Sequence, residues 1–260
     1  MSDETVFESV AFGDAPGRWP LPSASTPDAL WLRAVAAGGQ GRYGSALTDL
    51  AALMRGGPAA RLVSLAHSTR ASFLRQLGGH RQARSFDGRA LALAGADTEA
   101  AADAMIGLAA DALGIGRFGV SHAALRRSAP LTAGAPRPSV RLAWVSAELA
   151  MVTGRGEESV THAERAVEQA AGLGSARHVV KSDLVLAAAL CSAGHVEASR
   201  RMADAALQET ERLGMIPLRW ALACLLADIG SAVRSAAEIA VIRDESADTV
   251  RRRGGVWSVR

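Results

Sequence analysis

Small and apolar residues recur along this chain in step with six glycines, Gly41, Gly78, Gly116, Gly154, Gly194 and Gly230, which lie 37, 38, 38, 40 and 36 residues apart. Seven residues before each stands an alanine: Ala34, Ala71, Ala109, Ala147, Ala187 and Ala223. Five residues after each stands another small residue: Ala46, Ala83, Ser121, Ser159, Ser199 and Ser235. Glycine ends a helix in the left-handed conformation without a Cβ penalty. A small residue within a helix lets a neighbouring backbone come close. The columns therefore predict hairpins of two antiparallel helices with a tight turn and a close crossing. One such hairpin cannot bury its apolar faces alone, whereas stacked neighbours share a continuous core. The predicted pairs are 27–40 with 44–56, 62–77 with 81–94, 98–114 with 119–129, 138–153 with 157–172, 177–193 with 197–213, and 217–229 with 232–245. Pro136 and Pro138 mark a break before the fourth pair, the expected place for a bend.

The segment AVAAGGQGRYGSALTDL, Ala34 to Leu50, resembles the tetratricopeptide family, with its small residues, its Gly41–x–Tyr43 turn and Ala46. Pro58 falls where that family places a helix-ending proline. Gly116-Arg117-Phe118 and Gly194-His195-Val196 keep the Gly–x–apolar turn. The resemblance covers residues 27–245. It implies an all-α fold, a right-handed superhelix of about six antiparallel helix–turn–helix repeats. The sequence departs from the family in three ways. Its spacing exceeds the usual period of about 34, Gly156 and His80 stand at the aromatic position, and most units lack the closing proline.

Residues 1–26 do not fit the repeat. Phe7, Val10, Phe12 and Trp19 share this stretch with Gly13, Pro16, Gly17, Pro20 and Pro22, which reads as an extended segment, either docked on the array or disordered. Residues 246–260 read as a basic C-terminal tail containing Arg251, Arg252, Arg253, Trp257 and Arg260. A solvated tail after a capping helix is the plain expectation, and a contact with nucleic acid through Arg251, Arg252 and Arg253 is the sharper one.

Composition narrows the function classes. Apolar residues make up 49% of the chain and aromatics only 4%, which suits closely packed helices and not a β-sandwich. A net charge of +3 permits an acidic partner without requiring one. Cys191 and Cys224 are isolated, with no metal or redox spacing. The N-terminus, Met1-Ser2-Asp3-Glu4, is acidic and lacks a signal-peptide apolar region. No uncharged run reaches the roughly 20 residues of a membrane span. A cytoplasmic protein is expected, without membrane attachment. The six histidines are scattered, and Glu157-Glu158 sits where a helix dipole favours acids. Gly38-Gly39-Gln40-Gly41 lacks the Lys-Ser/Thr of a phosphate loop. The expectation is a binding protein, not an enzyme, needing neither cofactor nor metal.

The tetratricopeptide resemblance implies that the first helix of each unit lines a concave groove. Three residues before the alanine column the stripe reads Trp31, Ser68, Ile106, Trp144, Leu184 and Trp220; four after it, Gly38, Arg75, Leu113, Met151, Cys191 and Ala227. Three of five tryptophans thus share one repeat position. The expected groove contacts are Trp31, Arg75, Arg141, Trp144, Glu148, Met151, Lys181, Leu184 and Trp220. Three placements of the stripe stay open: the groove, the core between units, or a groove filled by the chain's own N-terminus. The leading expectation is an adaptor or scaffold that holds a peptide or helix of a partner protein, as monomer or dimer. The alternative is a ligand- or peptide-responsive regulatory protein acting with a bacterial transcription regulator.

Overall fold

The computed structural model describes the backbone of residues 3–258 and the side chains of residues 5–258. Met1, Ser2, Val259 and Arg260 lie outside the described residues, and with them part of the acidic N-terminus and of the basic tail. Thirteen α-helices fill the described chain. They are α1 (Asp3–Phe12), α2 (Pro27–Gly39), α3 (Tyr43–Arg55), α4 (Ala60–Gln76), α5 (His80–Leu93), α6 (Thr98–Gly114), α7 (Phe118–Ser128), α8 (Pro136–Val152), α9 (Gly156–Ala171), α10 (Ala176–Ser192), α11 (Val196–Arg212), α12 (Ile216–Ile229) and α13 (Ala236–Arg252). A 3-10 turn, Ala129–Thr132, joins α7 to α8. From α2 onward the helices pack as six sequential antiparallel pairs, consistent with a helical repeat array. The first helices also touch one another from unit to unit, α2 to α4 and on to α12, and form one continuous inner layer.

Five of the six turns share one hydrogen-bond pattern. Gly41, Gly78, Gly116, Gly154 and Gly194 have positive φ. The amide just beyond each donates back to the carbonyl five residues earlier, as Arg42 does to Ala37 and His195 to Leu190. All six alanines of the first column are fully buried, as are Ala46, Ala83, Ser121, Ser159 and Ser199 of the second. Ala147 is fully buried in one cluster with Ala163, Val185 and Ala189. Ala147→Leu should overpack that crossing and cost about 1–3 kcal/mol in urea unfolding; an unchanged midpoint would mean that the crossing is loose.

The sixth unit departs from the pattern. Ser235 is exposed and caps α13, its hydroxyl accepting from the Glu238 amide while the Glu238 carboxylate accepts from the Ser235 amide. That capping box starts the helix at Ala236, four residues later than the expected 232, and carries it to Arg252. The chain between Gly230 and Ser235 is held by the Asp204 carboxylate, which accepts from the Ser231 hydroxyl and the Ala232 amide. Much of the stretch expected as a tail is thus the last helix.

The N-terminal segment is not extended throughout, because Asp3–Phe12 is helical. Val6, Phe7, Val10 and Ala11 lie on one helical face, and all four are buried on the first unit. The chain then runs past the first turn, where the buried Gln40 amide donates to the Pro16 and Arg18 carbonyls. Gly17 passes so close to the Leu213 carbonyl that a Cβ would lie 2.5 Å from that oxygen. The segment therefore bridges the first unit and the turn after α11.

The C-terminus completes the bridge. The Gly44 amide donates to the Arg253 carbonyl (2.9 Å), and the Ser258 amide to the Leu77 carbonyl (2.8 Å). The Arg253 guanidinium donates to the Gln40 carbonyl (2.7 Å). Val250 is fully buried in the same apolar cluster as Phe7, Trp31, Tyr43 and Leu65. The last helix and the first unit share one core, so the two ends of the array meet. Arg251 and Arg252 are exposed and engage Asp248 and Thr249 of their own helix. No described helix is long and apolar enough to cross a membrane.

Candidate functional site

Because the ends meet, the inner stripes of the first helices face one another across a cavity of about 340 Å³. Trp31 on α2, Trp144 on α8, Leu184 on α10 and Trp220 on α12 line it, with Arg141 and Lys181 one turn earlier on their helices. Phe12, at the end of α1, and Trp257, beyond α13, complete the wall. The tryptophans serve two of the placements left open by the sequence. The Trp31 indole donates to Thr69 (3.0 Å) and the Trp144 indole to Ser182 (2.8 Å), each in the next unit. Their edges tie adjacent units together while the rings also border the cavity. Trp220 packs on Trp257, with centroids 4.4 Å apart.

Four cations line the cavity: Arg137, Arg141, Arg177 and Lys181. Asp103 is the one carboxylate among its described lining residues, and it pairs with Arg141. Arg137 pairs with Glu99, and Lys181 with Glu148 (3.3 Å). Arg177 is different. Its guanidinium donates to the Val35 carbonyl (3.2 Å), and among the described residues no carboxylate lies within ion-pair distance. Burial first, then the charges of Arg137 and Arg141, lower its pKa to about 10. Phe12 sits among these cations, 4.2 Å from the Arg137 guanidinium and 5.6 Å from that of Arg177. Such placement of a cation over a ring face is attractive.

His178 is buried and stacks on Trp144 with centroids 5.4 Å apart. Its Nδ1 shares a hydrogen bond with the Ser175 hydroxyl (2.8 Å). Burial, then Arg177, Arg137 and Arg141, push its pKa down to about 2. The imidazole is neutral in the folded protein. A depressed folded pKa means that its contribution to stability is full above the usual histidine range and is lost as pH falls below it.

Of the nine residues expected in the groove, Trp31, Arg141, Trp144, Lys181, Leu184 and Trp220 come together around the cavity. The other three do not line it. Arg75 reaches into the protein, where it pairs with the fully buried Asp87 and Asp111. Glu148 is the counter-ion of Lys181. Met151 packs between units against Ala147, Val185 and Leu186. Arg137, Arg177, His178, Phe12 and Trp257 were missed. The two arginines lie seven residues before Trp144 and Leu184, so the same helical face, followed two turns further, would have reached them. Phe12 and Trp257 carry no such signal, since both lie outside the six helix pairs and their periodicity does not reach them.

A second hollow of about 440 Å³ opens between α7, α8 and α9, lined by His122, Arg126, Arg155, His162 and Arg165. It has no tryptophan wall, and Arg155 is neutralised by Glu158 at 2.7 Å. Its aromatic lining makes the central cavity the stronger candidate. Neither a protein-family model nor a curated protein matches the chain.

Proposed function

We propose that the chain is a ligand-responsive regulatory protein whose sensing site is the central cavity. The observation that carries this reading is the meeting of the two ends. It turns the concave face into a cavity of about 340 Å³, within the roughly 300–1,000 Å³ of small-ligand sites. A partner helix, about 10 Å across with its side chains, fits a cavity of that volume less readily than a small molecule does. An adaptor that grips a helix would need the ends to part; a small molecule, or the end of a short peptide, would not.

The five matching turns and the buried alanine column support a tetratricopeptide-like array wound as a right-handed superhelix. In this reading the protein acts in the cytoplasm and passes occupancy of the cavity to a separate DNA-binding regulator. It performs no catalysis. Arg251 and Arg252 remain available to an acidic partner.

Native mass spectrometry of the protein purified from its own cells tests the proposal. The wild type should carry a small-molecule adduct. Trp144→Ala combined with Trp220→Ala should lose it while the helical circular dichroism persists. Retention of the adduct by the double variant, or a co-purifying protein in place of any small molecule, would sink the proposal.

A further inference from the structure

The row of inner-face positions seven residues before the tryptophan stripe reads Arg61, Glu99, Arg137 and Arg177 in units two to five. Arg61 and Arg137 both pair with Glu99, so charge alternates from unit to unit. The alternation stops at Arg177, which follows another cation. Arg137 and Arg177 are each the second residue of a helix, in first turns that hold no acidic residue. The helix dipole there favours negative charge. One turn further in, Arg141 and Lys181 are matched by Asp103 and Glu148. The cavity is left with one surplus cation, beside the Phe12 ring, and Trp31 and the Trp144–His178 stack line the same cavity.

Building on the cavity reading, we propose that the ligand is a small organic monocarboxylate. Its carboxylate meets Arg177, and its flat apolar body lies among the aromatic rings. One surplus charge matches one negative charge, and the planar guanidinium matches a carboxylate. Arg177 is also held by the Val35 carbonyl, near the C-terminal end of α2. It could serve as a plain strut between α10 and α2, and the test separates the two roles.

Titration calorimetry with 2-naphthoate and the uncharged 2-naphthamide provides that test. The wild type should bind the acid at least about tenfold more tightly than the amide. Arg177→Gln should abolish the preference, and Arg177→Lys should keep part of it. The free Arg177→Gln protein should melt no lower than wild type, because it has lost an unmatched charge. Equal binding of acid and amide by the wild type would overturn the carboxylate proposal and leave the cavity reading standing. So would a preference that survives Arg177→Gln; if that variant also melts lower, Arg177 is only a strut. If neither compound binds or alters tryptophan emission, the cavity reading falls as well.

Discussion

Arg75→Ala should destabilise the protein by about 3–5 kcal/mol near neutral pH, and by clearly less in acid. Arg75 is the cation between Asp87 and Asp111, both fully buried, and it also donates to the Gly107 carbonyl. Ser68 donates to the other Asp87 oxygen (3.1 Å). Burial raises the pKa of both carboxyls despite Arg75, that of Asp111 to about 7. A carboxyl with a raised folded pKa holds a proton that the unfolded chain releases. Its contribution is therefore full below the usual carboxylate range and is lost as pH rises toward 7. Without Arg75 both carboxyls must be protonated to stay buried. The penalty of the variant should grow by about 1.4 kcal/mol per pH unit for each proton that the folded variant holds beyond the folded wild type. Urea unfolding of both proteins at mildly acidic, neutral and mildly alkaline pH measures this. A penalty that does not change with pH would show that the cluster is not charged as described. Arg75→Ala with Asp87→Asn and Asp111→Asn should recover much of the loss at high pH.

Tyr43→Ala should cost a similar amount, about 3–5 kcal/mol, and should loosen the closure itself. The ring is 1% exposed. It packs edge-on against Phe73 of the second unit, with centroids 5.4 Å apart, and its hydroxyl donates to Gln76 (2.9 Å). Gly255 also lies against it, where a Cβ would come within 2.9 Å of the ring. Tyr43 is thus the point where the first unit, the second unit and the closing segment meet. Tyr43→Phe, which loses only the hydroxyl bond, should cost about 1 kcal/mol. Hydrogen exchange should reveal the difference: in Tyr43→Ala the Ser258 and Gly44 amides lose protection before those of α8 to α11. Uniform loss across the array would contradict a role in closure.

The repeat was legible because its signals are local. A glycine turn and two small-residue columns lie within some twelve residues of one another, and the helices follow from them. The sixth unit was misread because Ser235, which matches the small-residue column, instead forms a capping box with Glu238. At the N-terminus, the prolines and glycines after Phe12 masked a short apolar face that became helical once it had α2 to pack on. Arg75 sits on the inner stripe by count. Its direction is set by Asp87 and Asp111, which other helices supply. Closure was hidden for a different reason. Its contacts, such as Arg253 to Gln40 and Arg177 to Val35, join residues 213 and 142 positions apart. No periodicity announces such pairs. The tryptophan stripe could therefore be found in the sequence, while the cavity it borders could not.

Everything proposed about the cavity depends on the two ends meeting in solution. Pulsed dipolar spectroscopy reads this directly, with spin labels on cysteines placed at Leu47 and Arg252 and with Cys191 and Cys224 replaced by alanine. Both labelled positions are exposed and flank the Gly44–Arg253 hydrogen bond. The closed array predicts a single narrow distance peak at the short end of the measurable range. A broad distribution at long distances would mean an open array, with no cavity between its ends to receive a ligand.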